Sequence, residues 1–317
     1  MQDSIAQEST SRGFFRRMAD KEGVLGPLFL LPAVVYIVAL VAVPFFVAIA
    51  FSLSDVIVGD TSLDFIGLEN FRRILRTPQF KRALANSIFF TITVQVIVIV
   101  LANILAVILS QDFKGKWLAR FIIMLPWATP LSLSTIGWLW LLDSKFSPID
   151  WILVTLGLLG DPNALFGPGQ HMIFFGREQL AMASIITIHV WRMLPLSAVI
   201  LLAGLTSIDP DILDQTEIDG ASFLRTLLTV KLPLIFPIMG VSILFGTIFT
   251  FTDMTVVYLT TRGAPIYYTQ VIPVWAFLKG IDGGALGEGA AIALFLFPVL
   301  LAVVIFMLRA VRRTEIA

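Results

Sequence analysis

Asp214-Gln215-Thr216-Glu217-Ile218-Asp219-Gly220-Ala221 is a polar stretch between two long apolar runs, and it continues to Val230-Lys231-Leu232-Pro233. Residues 210–216 begin with a proline, which is favoured in the first turn of a helix, and they predict a short helix that ends at the glycine. Residues 222–230 predict a second short helix, which Pro233 is expected to stop. The stretch therefore predicts a helix–turn–helix that protrudes from a membrane domain and serves as a docking site.

The composition is that of an integral membrane protein. Of the 317 residues, 57% are hydrophobic and only 14% are charged, whereas about a quarter of the residues in soluble domains are charged. The formal net charge is zero, the chain has no cysteine, and it has only two histidines. We therefore expect no nucleic-acid partner, no thiol chemistry, no metal site and no cofactor.

Six apolar runs are long enough to cross a bilayer as helices, which takes about 20 residues each. They are residues 27–53, 87–109, 121–142, 180–205, 234–260 and 286–308. Backbone amides in hydrocarbon must be paired within their own segment, so each run is expected to be helical. The predicted fold class is an all-α integral membrane protein with six transmembrane helices.

The distribution of lysine and arginine favours a cytoplasmic location for both termini. In this orientation, twelve of these residues lie in inner segments and nine in outer loops. The expected organisation is a cytoplasmic arm (1–26), a six-helix membrane domain (27–308) containing the polar loop (208–233), and a cytoplasmic tail (309–317). A short helix on the inner leaflet is predicted within the arm, where apolar and basic residues alternate: Phe14, Phe15 and Met18 with Arg16, Arg17 and Lys21.

The polar stretch resembles the signature of the permease subunits of bacterial ABC importers. That signature begins with E-A-A, two residues and D-G-A. Nine residues separate its glycine from an isoleucine, and L-P begins two positions after that isoleucine. Asp219-Gly220-Ala221, Val230 and Leu232-Pro233 stand in this register, and Asp214-Gln215-Thr216 occupy the place of E-A-A. The resemblance implies that the residues docking onto an ATPase subunit are Asp214, Gln215, Thr216, Asp219, Gly220, Ala221, Leu232 and Pro233.

The resemblance also implies an architecture and a set of partners. The fold would be the type I ABC importer permease fold with a cytoplasmic coupling helix, in the inner membrane of a bacterium and in contact with membrane lipid. The partners would be a second, homologous permease, two copies of a cytoplasmic ATP-binding subunit and an extracytoplasmic solute-binding protein. The sequence lacks the G-x-x-x-x-G-K-[ST] phosphate-binding loop. The chain is thus expected to be a transport subunit and not an enzyme.

Ionisable residues within a span are costly, and they usually face a cavity or a partner helix. Arg192 lies in the fourth run, Asp253 lies in the fifth, and Glu288 lies near the outer end of the sixth. The spacing of Gly246, Phe249, Thr250 and Asp253 predicts that these four share one helical face.

Two further motifs resemble the maltose-type branch of the same family. Trp191 and Pro195 match a W-x-x-x-P element, and Gly263-Ala264-Pro265 stands where that branch has G-G-P. Phe65-Ile66-Gly67-Leu68-Glu69-Asn70-Phe71 is similar to the F-x-G-L-x-N-F/Y run of sugar-type importers. The solute class implied is a sugar or a glycerol phosphate, and the substrate-pathway residues implied are Arg192, Met193, Leu196, Gly246, Phe249, Thr250 and Asp253.

Alternatives remain open from the residues alone. Arg192 and Asp253 either line a pathway or neutralise each other as a structural bridge. His189 is expected to be a packed, hydrogen-bonded residue, and the stripe of Asn86, Gln95 and Asn103 is expected to hold helices together. The alternative functions are an ion-coupled secondary transporter and, less favoured, a membrane-embedded glycosyl-transfer enzyme with Asp253 and Glu288 as its acid and base.

Overall fold

The computed structural model describes residues 22–60 and 62–315, and most of them are helical. The residues of the arm that predict an interfacial helix (Phe14, Phe15, Arg16, Arg17, Met18 and Lys21) lie outside the described residues. Five helices are long and apolar enough to cross a membrane: Phe29–Ser52, Pro78–Ser110, Glu178–Thr206, Phe236–Thr260 and Leu286–Arg309. A sixth span results if the bent pair Lys116–Ala128 and Leu131–Leu141 counts as one.

The helices are, in chain order, α1 (Glu22–Ile37), α2 (Val43–Ser52), α3 (Glu69–Arg76), α4 (Pro78–Ser110), α5 (Lys116–Ala128), α6 (Leu131–Leu141), α7 (Pro148–Thr155), α8 (Glu178–Thr206), α9 (Pro210–Ile218), α10 (Phe223–Thr226), α11 (Leu232–Leu234), α12 (Phe236–Thr252), α13 (Thr255–Thr260), α14 (Ile272–Phe277), α15 (Leu286–Leu294) and α16 (Leu296–Glu315). Wider π-helical turns lie at Val38–Ala42, Leu227–Lys231 and Leu278–Asp282. The short strands β1 (Ser54–Asp55) and β2 (Asp64–Phe65) pair antiparallel.

The third apolar run is not one straight span, as its length would predict. It forms α5 and α6, which meet at an angle of 96°. Thr129 has an extended backbone, with ψ at 141°, because a residue that precedes a proline is forced out of the helical region. Pro130 therefore divides the run, and the bend lies between the two halves of the span.

The fifth apolar run is also interrupted. Asp253 is extended, with ψ at 126°, and it separates α12 from α13. Its carboxylate Oδ1 accepts the backbone N–H of Val256 at 3.1 Å, as the cap of a helix start does. The continuous helix predicted for residues 234–260 from hydrophobicity is thus divided in two at Asp253, which caps the second part.

Pro233 does not stop the second short helix of the polar loop, contrary to the prediction from sequence. Helical backbone runs from α10 through the π-helical turn and α11 to Leu234, and the interruption comes at Ile235. In the wide turn, the N–H of Leu232 bonds to the carbonyl of Leu227. This wider turn makes room for the proline ring, which clashes with the preceding turn of a regular helix.

The core forms where α4 packs along α8. On α4 the buried apolar side chains recur at every fourth position, which gives one continuous stripe: Phe90, Val94, Val98, Ala102 and Ala106. Small residues in the C-terminal half of both helices, such as Ala102 and Ala198, allow the close approach that van der Waals packing in membranes requires. By contrast, none of the apolar window of the first span is buried within this chain.

The loop between the first and second spans is held in place by Asn70, which belongs to the F-x-G-L-x-N-F run. This asparagine is fully buried, and its side-chain amide donates to the carbonyls of Ser52 and Ser54 at 3.0 and 2.9 Å. Gly287 of α15 lies so close to the same place that a Cβ atom there would collide with the Ser54 carbonyl. The motif thus joins the end of the first span to the start of the sixth.

Candidate functional site

The polar loop is built as two short helices around a tight turn. The side chain of Asp209 accepts the N–H of Asp211 at 3.0 Å and so caps the start of α9. Gly220 follows α9 with φ at +68°, a left-handed conformation that L side chains adopt only under strain. A Cβ atom at Gly220 would meet no atom within 4 Å, so the conformation of the backbone is the reason for glycine there.

This loop exposes an apolar surface rimmed by acids. Ile218 is 85% exposed, and further large apolar side chains are exposed on the second short helix and the turn after it: Phe223, Leu224 and Leu228. The acidic side chains of α9 and its C-terminal end are exposed as well: Asp211, Asp214, Glu217 and Asp219. An apolar patch with a polar rim is the usual composition of a protein-binding surface.

Thr216 holds the two short helices together. Its hydroxyl donates to the Leu213 carbonyl at 2.7 Å and accepts from the hydroxyl of Thr226 at 3.5 Å. Thr216, Ala221 and Leu232 are partly buried, whereas Asp214, Gln215, Asp219, Gly220 and Pro233 are exposed. A cleft beside Thr216 and Ala221 also includes Gln111, the residue that follows α4, so the loop lies next to the C-terminal end of the second span.

Deep within the spans, α8 and the broken fifth span are joined by two polar contacts. Arg192 Nη1 donates to Asp253 Oδ2 at 2.9 Å, and the two side chains are 22% and 9% exposed. The second contact joins His189 Nε2 and Thr250 Oγ1 at 3.2 Å, and both residues are fully buried. The ion pair foreseen as one of two alternatives for Arg192 and Asp253 is therefore present, and the packed, hydrogen-bonded role predicted for His189 is confirmed.

Aromatic rings surround this ion pair. The guanidinium of Arg192 lies 5.8 Å from the centroid of the Trp127 ring, within the range of a cation–π interaction. Trp127 in turn meets Phe249 edge to face at 6.0 Å, and Trp138 meets Trp191 at 5.7 Å. The sequence interpretation did not single out Trp127. Its position between Pro126 and Pro130, within the third apolar run, was the available signal.

The structure brings together some of the predicted pathway residues and separates others. Met193 is buried in the core, and Leu196 packs against the same cluster. Gly246 and Thr250 are also buried, whereas Phe249 is 41% exposed, and Asp253 lies beyond the end of the helix. Gly246, Phe249 and Thr250 therefore lie on one side of α12, as their spacing predicts. Phe249 contacts Trp127 there, and Asp253 alone departs from the predicted face because the helix has ended before it.

The polar stripe of α4 contributes unequally to helix association. Asn86 donates to the carbonyls of Tyr267 and Gln270 at 3.1 and 3.0 Å, which joins α4 to the loop after α13. Asn103 bonds mainly within its own helix, to Ile99 at 2.8 Å. Gln95 packs against Gly246 so closely that a Cβ atom on that glycine would overlap the Gln95 amide.

Glu288 is not available as a free carboxylate. It pairs with Lys279 at 3.0 Å and lies 3.9 Å from Arg73. Asp253 is bonded to Arg192 and caps α13. The two carboxylates considered as an acid and base pair for glycosyl transfer, Asp253 and Glu288, therefore both already have partners. No cluster of three or more metal-ligating side chains exists within residues 22–60 and 62–315.

Comparison with known proteins gives consistent relatives. No family model matches the chain. A probable ABC transporter permease protein of Brucella suis is 29% identical over 246 residues, which cover 78% of this chain and 82% of that protein. The trehalose/maltose transport system permease protein of Thermococcus litoralis is 28% identical over 293 residues, covering 91% of this chain and 94% of that protein.

Solved structures share the fold. A bacterial ABC transporter involved in the import of the acidic polysaccharide alginate superposes with a TM-score of 0.78 at 18% identity, covering 95% of this chain and 98% of that chain. A second structure of an alginate ABC transporter, in complex with an alginate pentasaccharide-bound periplasmic protein, gives a TM-score of 0.76 at 19% identity, with 92% and 96% covered. The chain therefore shares its overall fold with both of these structures.

Proposed function

We propose that this chain, which belongs to the permease subunits of ABC importers, forms one half of a transmembrane path for a sugar or sugar-like solute. The similarity to the trehalose/maltose permease of Thermococcus litoralis and to the alginate importers supports this solute class. The chain acts as a transport subunit and not as an enzyme, and ATP is hydrolysed by a separate subunit. Its location is the bacterial inner membrane, with both termini in the cytoplasm.

The observation that carries the proposal is the exposed surface of the polar loop. Ile218, Phe223 and Leu224 are apolar, exposed and outside the spans, so they need a protein partner to cover them. The signature residues Asp214, Gln215, Thr216, Asp219, Gly220, Ala221, Leu232 and Pro233 form or support this surface. We assign the loop at residues 208–233 to coupling with an ATP-binding subunit, in a membrane domain of six spans within residues 27–308.

The complete importer would contain a second, homologous permease, two copies of the ATP-binding subunit and an extracytoplasmic solute-binding protein. Closure of the ATP-binding subunits would bring the two coupling loops together and shift the spans between inward-open and outward-open states. The solute-bound periplasmic protein in the second alginate structure supports delivery of the solute from outside.

We assign the pathway to the ion pair and its aromatic surroundings. Arg192, Phe249 and Asp253 would face the path, with Leu196 beside them. Met193, Gly246 and Thr250 are buried, and they would form the packed wall that fixes the lining residues in place.

Copurification and uptake test the function together. The chain, expressed with its partners and reconstituted into liposomes, should carry solute only when ATP and the binding protein are supplied. Uptake that persists without ATP and follows an ion gradient would contradict the importer and favour the secondary transporter.

Gly115 provides a matched control for substitutions at Gly220 in the coupling loop. Gly115 lies in the other inner loop, has φ at +86°, and would likewise meet no atom within 4 Å if it carried a Cβ. Gly115→Trp therefore introduces a comparable backbone strain outside the coupling surface, whereas Gly220→Trp introduces it within that surface.

A further inference from the structure

The two charged side chains in the middle of the spans neutralise each other. Away from the ends of the spans, the ionised side chains in residues 22–60 and 62–315 are Arg192 and Asp253, and they contact each other at 2.9 Å. Glu288 lies at the outer end of the sixth span and is matched there by Lys279. This half of the path therefore offers an entering solute no uncompensated charge.

The carboxylate of Asp253 has both oxygens engaged. Oδ2 accepts from Arg192, and Oδ1 accepts from the N–H of Val256, so the position of this group is fixed by two helices. The guanidinium of Arg192 has five N–H donors, of which one is used by Asp253 and the others remain for a solute. A neutral hydroxyl group can accept such a bond without separating the pair.

An anionic solute would meet a different balance of forces at the same place. Its charge would be drawn to Arg192 but repelled by the Asp253 carboxylate, which lies within hydrogen-bonding distance of that guanidinium. Removal of a charge from water is costly in a membrane interior, and here the cost would have no free counter-charge to offset it. Specificity of this kind arises from a repulsive group as much as from an attractive one.

Trp127 supplies an apolar surface next to the pair. It lies at the end of α5, directly before the 96° bend, and it contacts both Arg192 and Phe249. The C–H faces of a saccharide ring pack well on aromatic rings, and uncharged hydroxyl groups suit the remaining donors. The bend of the third span therefore serves to bring an aromatic ring to the ion pair.

We propose that the cluster of Arg192, Asp253, Trp127 and Phe249 selects uncharged saccharides over anionic ones, with Trp127 as the residue on which a sugar ring stacks. This proposal rests on the proposed function, since it requires the cluster to line the path. It distinguishes the chain from the transporter of the acidic polysaccharide alginate whose fold it shares. It agrees with the relative named for trehalose and maltose transport.

The test measures the binding of two probes to the assembled importer in detergent micelles by saturation-transfer NMR, without the binding protein. The probes are maltotriose, which is uncharged, and trigalacturonate, an anionic trisaccharide of equal length. Wild type should bind maltotriose more tightly, by on the order of tenfold. Asp253→Asn leaves Arg192 unpaired and should increase trigalacturonate affinity by about tenfold, which corresponds to ~1.4 kcal/mol. The double variant Arg192→Gln with Asp253→Asn should lose that gain because it has no free cation.

Trp127 is tested in the same assay. Trp127→Ala should reduce the maltotriose signal at least about fivefold, since the packing of one ring on an aromatic side chain is worth on the order of 1 kcal/mol. The matched control Trp140→Ala removes an exposed tryptophan of α6 and should leave the signal unchanged.

Three outcomes would overturn the proposal: wild type that binds trigalacturonate as well as maltotriose, no gain of trigalacturonate binding in Asp253→Asn, and no signal from either probe. An Asp253→Asn variant that fails to assemble is replaced by Asp253→Ser, which keeps a capping oxygen and removes the charge. ATP-dependent uptake, measured in parallel, distinguishes a failure of the selectivity proposal from a failure of the proposed function. If the importer takes up an acidic saccharide, only the selectivity is wrong, and if uptake does not require ATP, the proposed function fails.

Discussion

Removal of one partner of the Arg192–Asp253 pair should destabilise the protein far more than removal of both. Arg192→Met leaves an unpaired carboxylate that is 9% exposed, and Asp253→Asn leaves an unpaired guanidinium that is 22% exposed. An unpaired charge in the middle of a span costs about 2.5–3.5 kcal/mol on insertion scales. Because neither side chain is completely enclosed by this chain, we expect each single change to cost about 2 kcal/mol.

The double variant should cost only about 1 kcal/mol, because methionine retains the packing of the arginine stem and asparagine retains the cap on Val256. The interaction energy would then be about 3 kcal/mol, at the upper end for residues in contact. A matched variant, Asp253→Ala, removes the cap as well and should cost about 1 kcal/mol more than Asp253→Asn.

The assay is a double-mutant cycle of unfolding in detergent, with uptake by reconstituted importer measured on the same preparations. If the pair is only a structural bridge, the double variant should recover both stability and uptake. If the pair also lines the path, stability should recover while uptake stays impaired. If the double variant instead loses as much stability as the two single variants together, the side chains do not interact, and the reasoning built on their contact is refuted.

Three further predictions concern the loop and the packed wall. Gly220→Trp should abolish ATP-dependent uptake while the chain still inserts in the membrane, and Gly115→Trp should not; equal losses in copurification of the ATP-binding subunit would contradict the coupling assignment. Asp214→Lys reverses an exposed charge of α9 and should weaken that copurification more at low than at high salt, because salt screens the new repulsion; a salt-independent loss would argue for misfolding. Gly246→Ala should lower the stability by about 1–3 kcal/mol, the usual cost of adding a methyl group to a packed core, because its Cβ would overlap the Gln95 amide. Adding Gln95→Ala should remove this overlap and restore stability; a double variant as unstable as Gly246→Ala alone would show that another neighbour is responsible.

The elements that could be predicted from the sequence are those whose cause is local. α8 extends from Glu178 to Thr206, close to the predicted run of residues 180–205, because a long and predominantly apolar segment in a membrane can pair its backbone amides within itself only as a helix. The turn at Gly220 was predictable for a similar reason, since a glycine after a short polar helix favours the left-handed conformation that the structure has.

The breaks in the third and fifth spans depend on tertiary contacts and could not be placed by hydrophobicity. Asp253 leaves the helix because its carboxylate is held by Arg192 and by the start of α13 at the same time, and neither contact is visible in a hydropathy pattern. The partnership of Arg192 and Asp253 could be named as one of two alternatives, whereas the approach of Trp127 could not. That approach requires the 96° bend, which a proline permits but whose direction is set by the helices that pack around it.

The joint at Asn70 sets an order for the assembly of the chain. Asn70 is bonded to residues at the end of the first span, and the N–H of Gly287 donates to the carbonyl of Val56 at 3.0 Å. The first of the six spans leaves the ribosome before the other five and the sixth leaves it after them, so this contact joins the two spans that are made furthest apart in time. Until the sixth span inserts, the carbonyl of Val56 lacks the partner that it has in the finished protein. Closure of the bundle between the first and sixth spans therefore has to wait until both spans have been synthesised.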